Sequence, residues 1–324
     1  MGTPEFAVPS LNALLGARAT DGWTVTGVVT QPDRPKGRGQ ALTASPIKQL
    51  ALRHHLPIWQ PLKMKDPAFL DALAGWQPDL IAVTAFGRIL PKAILALPPR
   101  GCINVHGSLL PKYRGAGPVQ WALINGERET GITTMLMDEG MDTGAMLLQE
   151  TVPIDPEDTA GTLSVRLAEV GGRLLVETIR RWLRGDLAPR QQDPTQATPA
   201  PLLKKEDGLV DWTLSAQVLA DRIRGLTPWP GAYTYAEPDR WTICRAVASQ
   251  DDPRGVAPGT LLRTGKDGLL VATGQGSLLV TEIQPSGGKR MTVAQYLAGH
   301  PLAPGLRLSS GPDAAPLASS PSHP

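Results

Sequence analysis

The sequence predicts an α/β fold followed by a smaller β domain, and three observations lead to this expectation. The chain has 324 residues, a length that suits two domains, each with a core of its own. Strand-like and helix-like segments alternate through the first half, which is typical of a largely parallel sheet with helices on both faces. The second half contains short strand-like segments between glycine-containing turns, which is typical of a small barrel.

The elements of the first half are predicted from composition. Segment 79–86 (DLIAVTAF) is almost continuously apolar, as expected for a strand buried on both faces. Segment 23–30 (WTVTGVVT) is rich in β-branched residues, which favour strands. Further strands are predicted at 102–106, 132–137 and 145–152, and helices at 46–55, 91–97, 118–125 and 163–183. Residues 1–184 are therefore expected to form a Rossmann-like domain with a mostly parallel sheet.

A change in composition separates the two predicted domains. Pro189, Pro194 and Pro199 lie among Gln, Thr and Asp, so 185–203 is predicted to be a linker. Residues 204–308 are expected to form a small OB-like β-barrel. Its predicted helices are 215–224 and 292–298, and its predicted strands are 232–235, 241–247, 260–263, 269–273 and 278–283. Residues 309–324 are mostly Ser, Pro and Ala, which predicts a disordered tail.

The composition is that of an ordinary globular protein. Hydrophobic residues make up 41% of the chain, charged residues 19%, and the formal net charge is +2. This charge is too small to indicate a nucleic-acid partner, so any basic surface must be local. Cys102 and Cys244 are the only cysteines and lack zinc-site spacing, which favours a reducing cytosol. No apolar run approaches ~20 residues and no signal peptide is visible, so we expect a cytoplasmic protein without a bound metal.

The octet 104–111 (NVHGSLLP) carries the strongest chemical signal in the chain. Asn104 and His106 are two residues apart on a predicted strand, so their side chains point to the same side. An amide can donate a hydrogen bond to a developing oxyanion, and an imidazole can move a proton. In open α/β sheets, ligands bind beyond the carboxyl ends of strands, where this pair would lie. The pair predicts a catalytic site, although a histidine at a strand end can also be purely structural.

A second polar cluster, 138–144 (DEGMDTG), offers a carboxylate. Asp138 and Asp142 compete for this role, and either could instead be an aspartate that caps a turn. Together the two segments supply an amide, an imidazole and a carboxylate. This set is sufficient for acyl-type transfer without a metal.

The two motifs in order, Asn-x-His-x-Ser-Leu-Leu-Pro and then Asp-x-Gly-x-Asp-Thr-Gly, resemble the signature of the folate-dependent formyltransferase family. Three further segments resemble members that act on tRNA: 2–7 (GTPEFA), 30–39 (TQPDRPKGRG) and 207–212 (DGLVDW). The likeness extends from residue 2 to about residue 308. The family begins with an apolar strand that leads into Gly-Thr-Pro. Here Met1 precedes Gly2 directly, so we expect that strand to be missing from the sheet.

The resemblance implies a one-carbon group transferase that works in translation initiation. It would transfer the formyl group of 10-formyltetrahydrofolate to the α-amino group of methionyl initiator tRNA, and it would act as a monomer. Asn104 would donate to the oxyanion, and His106 would be a second donor or the proton carrier. Asp142, at the Asp of Asp-Thr-Gly, would orient His106, stabilise its charged form or relay the proton through water. Asp138 would shape the loop.

The resemblance also assigns residues to the folate site. The rigid turn after His106 is expected to contribute through Ser108, Leu109, Leu110 and Pro111. A second strand end is expected to line the pterin pocket with Phe86, Gly87, Arg88 and Ile89. Plain packing is the alternative interpretation for Phe86 and Ile89.

A basic loop is expected to contact the tRNA. It contains Arg34, Lys36 and Arg38, and it resembles the family loop that reaches the acceptor stem. Exposed backbone and alternating cations suit phosphate contacts in an RNA groove. A charge run of this kind is otherwise a solvated face. Four residues of the second domain are expected to extend the basic track: Lys204, Lys205, Lys289 and Arg290.

Three alternative functions fit the sequence less well. A formyltransferase for a small amine, or a formyl-folate hydrolase, would need neither the basic loop nor the second domain. A dinucleotide-binding protein would carry a Gly-x-Gly-x-x-Gly fingerprint, which is absent. A catalytically silent tRNA-binding module would not need Asn104, His106 and Asp142 together.

Overall fold

The computed structural model describes residues 1–36, 41–236, 239–249, 251 and 253–309. These residues form two compact units. Unit 1 contains Met1–Val119, Arg128–Asp155 and Thr162–Leu202, and unit 2 contains Gln120–Glu127, Pro156–Gly161 and the chain from Leu203 onward. In the described part of the chain, no helix is both long and apolar enough to cross a membrane.

The elements up to residue 184 follow the predicted alternation. The strands are β1 (Val28–Val29), β2 (Arg34–Lys36), β3 (Ala41–Thr43), β4 (Ile58–Trp59), β5 (Ile81–Thr84), β6 (Cys102–His106), β7 (Glu129–Leu136) and β8 (Met146–Pro153). The helices are α1 (Val8–Gly16), α2 (Arg18–Asp21), α3 (Pro46–Arg53), α4 (Pro67–Gly75), α5 (Lys92–Leu95), α6 (Pro118–Ile124) and α7 (Ala160–Arg184). Proline is the first residue of α3, α4 and α6. An N–H at this position makes no hydrogen bond within the helix, so proline, which has no N–H, is well tolerated there.

The strands of unit 1 confirm the α/β class but do not all run in one direction. β1 pairs with β4, and β5 pairs with β6, in parallel. β6 pairs with β7, and β7 with β8, in antiparallel register. The loop 137–145 joins β7 directly to β8, and such a short connection between neighbouring strands requires antiparallel pairing. The sheet is therefore parallel only in the half that precedes β7.

The first two residues join β1 to β5, beside a large cavity. Gly2 N donates to Val29 O at 3.1 Å, and Thr84 N donates to Met1 O at 2.9 Å. Next to this junction lies a cavity of about 730 Å³, lined by residues 21–29 and 76–82 and by side chains of α1 and α7. The Met1 ammonium donates to Ala82 O at its edge, and burial lowers the pKa of this group to about 6.

The cavity explains why one predicted strand is short. Segment 23–30 has the composition of a strand, but the structure pairs only Val28–Val29. Residues 23–27 border the cavity, and among the described residues the strand pairing begins only at Val28. A strand is defined by its pairing, so favourable composition alone cannot extend it.

Helix α7 spans 160–184, slightly longer than the predicted 163–183, despite two central glycines. A Cβ on Gly172 would lie 2.8 Å from Pro9 O, and one on Gly171 would lie 2.9 Å from Val105 Cγ1. The glycine pair therefore allows α7 to approach α1 and β6 closely. Near its end, Arg180 donates two hydrogen bonds of 2.8 Å to the Asp21 carboxylate. These bonds hold the pKa of Asp21 below its usual value.

The predicted linker is instead largely packed onto unit 1. Arg190 pairs with Met146, and Pro199 pairs with Arg114. Ala200 O accepts from Gly117 N at 3.1 Å. Residues 190–200 thus run along two loops of unit 1, and we call this segment the strap. Its proline-rich composition predicted a linker but could not reveal these contacts.

Unit 2 contains the predicted β structure. Its strands are β9 (Ala232–Ala236), β10 (Asp239–Ser249), β11 (Leu261–Gly265), β12 (Gly268–Ala272), β13 (Ser277–Pro285) and β14 (Met291–Thr292), and its helices after residue 203 are α8 (Ala216–Leu226) and α9 (Val293–Leu297). The sheet order is β11-β12-β13-β10-β9, with β14 on β13, and every pair is antiparallel. Trp241 is buried at its core, where its ring meets that of Tyr296 edge to face.

The last described residues close this sheet into a barrel. Arg307 pairs with Thr260, just before β11, and Ser309 pairs with Tyr235 in β9. The segment therefore bridges the two outermost strands and covers part of each of their edges. Ser309 belongs to the barrel, although the sequence assigned it to the tail. Residues 310–324 lie outside the described residues.

Candidate active site

Asn104 and His106 lie on β6, which is buried along its whole length. Asn104 stands opposite Val83 and Met135, and His106 stands opposite Thr133, so the pair occupies the carboxyl end of a central strand. The exposed fractions of the two residues are 9% and 5%. As the period of a strand requires, both side chains point to one side.

Asp142 comes to this pair from the loop between β7 and β8. Its Oδ2 lies 3.6 Å from His106 Nδ1, and its Oδ1 lies 3.5 Å from Asn104 Nδ2. The carboxylate is only 16% exposed. Three side chains that are distant in sequence therefore meet in one place.

Main-chain groups fix both the imidazole and the carboxylate. His106 Nε2 lies 2.9 Å from Tyr113 O. A carbonyl oxygen only accepts, so Nε2 carries a proton and Nδ1 faces Asp142. Gly115 N donates to Asp142 Oδ2 at 2.9 Å. The ring nitrogen available for proton transfer is thus Nδ1, which lies beside the Asp142 carboxylate.

The Asn104 amide keeps donor capacity for a ligand. Among the described residues, the Asn104 side chain hydrogen-bonds only to Asp142. The distance from Asn104 Nδ2 to Asp142 Oδ1 is 3.5 Å, which is long for a hydrogen bond. An amide nitrogen carries two hydrogens. At least one N–H can therefore be directed to a substrate oxygen.

Asp138 has a different position from Asp142. Its Oδ1 accepts from Gly140 N at 3.0 Å and from Thr143 Oγ1 at 2.7 Å. These are bonds within the loop, typical of an aspartate that shapes a turn.

The turn after β6 is tightly held. Ser108 is fully buried and donates to Lys112 O at 2.6 Å, and Leu110 N donates to Thr133 Oγ1 at 3.0 Å. The Leu110 side chain packs against Met135 and Met146. Leu109 and Pro111 are partly exposed, so they present more surface to a ligand than the two buried residues do.

The second segment assigned to the folate site is divided between core and surface. Phe86 is 2% exposed and packs in the core formed with Val83 and Phe69, so packing accounts for its side chain. Arg88 donates to Leu62 O at 2.8 Å, and Ile89 is 76% exposed. Packing therefore explains Phe86 but not Ile89.

Gln31 links this segment to the basic loop. Its Nε2 donates to Phe86 O at 2.8 Å and approaches Gly87 O at 3.3 Å. Its Oε1 accepts from Arg34 Nη2 at 2.8 Å. The base of the basic loop is thereby fixed to the strand end that carries 86–89.

The other basic residues fall in different parts of the chain. Lys36 ends β2, and Arg38 lies outside the described residues. Four exposed residues belong to unit 2: Lys204, Lys205, Lys289 and Arg290. Arg290 pairs with Glu282 at 2.6 Å, which reduces its availability to a phosphate.

Cys102 is not placed for nucleophilic chemistry. Cys102 is buried in β6, and burial raises the pKa of its thiol to about 11. A thiol in this state is not a nucleophile at neutral pH. Within the described ranges, no group of three or more His, Cys, Asp or Glu side chains is arranged to hold a metal ion.

Several residues of the site were not predicted from the sequence. Tyr113 and Gly115 act through main-chain atoms, which leave no side-chain signature. Gln192, in the strap, donates to Asp142 O and to Gly144 O, each at 2.8 Å. A glutamine among prolines gives no sign of such a contact, because it depends on where the strap lies.

Comparison with known proteins gives two family matches. Residues 2–179 match the model described as "Formyl transferase", and residues 202–301 match "Formyl transferase, C-terminal domain". A methionyl-tRNA formyltransferase of Desulfotalea psychrophila is 54% identical over 92% of this chain and 91% of its own length. One of Trichlorobacter lovleyi is 50% identical over 95% of each chain.

Solved structures share the fold at low sequence identity. An N-formyltransferase from Helicobacter canadensis, in complex with folinic acid and dTDP-3-aminofucose, has a TM-score of 0.63 at 17% identity and covers 86% of this chain and 96% of its own. HypX from Aquifex aeolicus, in complex with tetrahydrofolic acid, has a TM-score of 0.56 at 19% identity. The match covers 77% of this chain and 43% of HypX.

Proposed function

Since this chain belongs to the formyl transferase family, we propose that it transfers the formyl group of 10-formyltetrahydrofolate to the α-amino group of methionyl initiator tRNA. The observation that carries the proposal is the meeting of Asn104, His106 and Asp142 at the carboxyl end of β6. The relatives named methionyl-tRNA formyltransferase, at about 50% identity over most of their length, support this substrate pair.

The proposed reaction needs little activation of the nucleophile. A free α-amino group has a pKa near ~8, so a useful neutral fraction exists at pH 7. The amine nitrogen attacks the formyl carbon, the carbonyl oxygen becomes an oxyanion, and the bond to the folate nitrogen then breaks. The amine loses a proton and the folate nitrogen gains one. The protein has to align the reactants, stabilise the oxyanion and move this proton.

The geometry supports a division of labour among the three side chains. Asn104 Nδ2 donates to the oxyanion, because Asp142 engages it only weakly. His106 handles the proton through Nδ1, because Tyr113 O occupies Nε2. Asp142 faces Nδ1 from 3.6 Å away, and its charge stabilises a proton carried there.

The folate is proposed to lie against the exposed parts of two segments. Leu109, Pro111 and Ile89 offer apolar surface, and Arg88 offers a cation near the same strand end. Ser108, Leu110 and Phe86 support the pocket from behind, since their side chains are buried. Gly87 has a φ of 75°, which suits a turn where the backbone comes close to a ligand.

The tRNA is proposed to contact the basic loop. Arg34, Lys36 and Arg38 would bind phosphates of the acceptor stem. The exposed cations Lys204, Lys205 and Lys289 would contribute from unit 2, with Arg290 after release from Glu282. The protein is further proposed to act as a monomer in the cytoplasm.

Formyl transfer from 10-formyltetrahydrofolate to charged initiator tRNA tests the proposal. Methionine amide and glycinamide ribonucleotide serve as small-amine controls, and formate release without an acceptor is measured in parallel. We expect rapid transfer to tRNA and slow transfer to either small amine. Equal rates on the small amines, or formate release as the main reaction, would overturn it.

A further inference from the structure

Gln192 is buried between the two loops that complete the proposed site, with 9% of its surface exposed. Its Nε2 donates to Asp142 O and to Gly144 O, each at 2.8 Å. Its Oε1 accepts from Arg114 Nε at 3.0 Å and from Arg114 Nη2 at 2.8 Å. The side chain therefore uses both of its hydrogens and both acceptor positions.

The backbone at Asp142 needs this support. Its φ is 54°, in the left-handed region that residues other than glycine rarely adopt. Such a conformation persists only where the surroundings hold it. Gln192 holds the carbonyl oxygen of Asp142 itself and that of Gly144. A Cβ on Gly144 would lie 1.7 Å from Leu136 O, so the loop also passes very close to β7 at this point.

On its other side, Gln192 holds the loop that contacts the catalytic side chains. Arg114 N donates to Thr198 O at 2.8 Å, and Ala200 N donates to Arg114 O at 2.6 Å, so the strap fixes Arg114 from both directions. The residues on either side of Arg114 supply the main-chain contacts to the imidazole and the carboxylate. One buried amide thus joins the segment that carries the carboxylate to the segment that orients it.

We propose that Gln192 is a positioning residue: it sets the carboxylate of Asp142 against His106 and Asn104 without contacting substrate. This proposal rests on the proposed function in taking Asp142 and His106 as the pair that handles the proton. The role requires an amide. A carboxylate at this position would keep the bonds from Arg114 but would face two carbonyl oxygens that it cannot donate to.

The decisive variant is Gln192→Glu, with Gln191→Glu as the matched control. Gln191 is the exposed neighbour on the same strap, so the control adds the same charge away from Asp142. We expect Gln192→Glu to lower kcat by about tenfold to a hundredfold, as small misplacements of catalytic groups do. We expect KM for folate and for tRNA to change by less than about twofold, and the control to match the parent. A kcat for Gln192→Glu within about twofold of the parent would overturn the proposal. A higher KM with an unchanged kcat would overturn it as well.

The ¹⁵N signals of the His106 ring report the placement of Asp142 without turnover. We expect Gln192→Glu to shift them, and Gln191→Glu to leave them unchanged. In an Asp142→Asn background the Gln192→Glu shift should largely disappear, because the effect acts through the carboxylate. A shift of equal size in that background would contradict the proposal.

Two measures separate this proposal from failure of folding or of the proposed function. If Gln192→Glu does not fold, by circular dichroism and thermal unfolding, Gln192→Met carries the same expectations without the added charge. If the parent enzyme formylates only a small amine, the proposed function fails. The kcat of the variants on that amine and the ring signals still test Gln192.

Discussion

Asp142 Oδ2 lies 3.6 Å from His106 Nδ1, beyond hydrogen-bond distance, while it accepts a 2.9 Å hydrogen bond from Gly115 N. The carboxylate is therefore fixed by the backbone and not by the imidazole. The imidazole is likewise fixed by Tyr113 O. Both groups are held in place before any substrate binds, with Nδ1 directed at the carboxylate.

Removal of the imidazole tests its role directly. We expect His106→Ala to lower the formylation rate by two to four orders of magnitude, the range for general acid–base catalysis. Asp138→Asn is a polar change in the loop that carries Asp142; it keeps the acceptor Oδ1 and should have a much smaller effect. Single-turnover rates and thermal unfolding distinguish a chemical loss from a loss of fold. Near-normal turnover of a folded His106→Ala variant would refute the role.

The proposed contact between the basic loop and tRNA predicts that a substitution in the loop weakens the use of tRNA but not of the folate. We expect Arg38→Ala to raise KM for charged tRNA and to reduce its dependence on salt by about one phosphate contact, with KM for the folate unchanged. Arg53→Ala, an exposed arginine at the end of α3, is the control. The assay compares KM for tRNA at two salt concentrations. Equal losses for both substrates would indicate disturbed folding instead.

The buried amino terminus predicts a stability that depends on pH. Its pKa falls from 8.0 in the unfolded chain to about 6 in the fold, so between these values the unfolded chain binds more protons. The free energy of unfolding should therefore rise from pH 6 to pH 8, by roughly 3 kcal/mol at most. Urea unfolding at pH 6, 7 and 8 measures this rise. A protein with an acetylated amino terminus should lack this rise. The same dependence of the free energy of unfolding on pH in both forms would contradict the lowered pKa of the amino terminus.

The cavity beside Met1 predicts that added strand residues can stabilise unit 1. An extension of about five apolar residues before Met1 has the length of a typical strand and would bring backbone partners to residues 23–27. We expect a rise in melting temperature of at least about 5 °C. A Gly/Ser extension of equal length is the control. No difference between the two extensions would show that the cavity does not accept a strand.

The barrel closure predicts a sharp boundary for truncation. Deletion of residues 310–324 should leave the stability of unit 2 unchanged, as their composition suggests. Deletion from Gly305 removes the segment that pairs with Thr260 and Tyr235, and it should lower the melting temperature of unit 2 by about 5 °C or more. Differential scanning calorimetry separates these outcomes. Equal stability of the two truncated forms would show that the closure contributes nothing.

The sequence predicts those features that depend on local chemistry. The apolar run 79–86 predicted a buried strand, and the spacing of Asn104 and His106 predicted a polar pair at a strand end. Both predictions rest on side-chain period and burial, which are local properties. The direction of β7 and β8 and the short pairing of β1 were not predicted, because both depend on which strands become neighbours. The contact of Gln192 with Asp142 O was missed for the same reason.

The strap also affects when the site can form during synthesis. Asn104, His106 and Asp142 have all left the ribosome once β8 has emerged, but the partners of Arg114 and Met146 at 190–200 come later in the chain. In between, the nascent polypeptide must first produce α7. A partly made chain thus holds the loop of Asp142 and the segment 113–115 without their strap partners, so the proposed catalytic group should be complete only after the strap has left the ribosome.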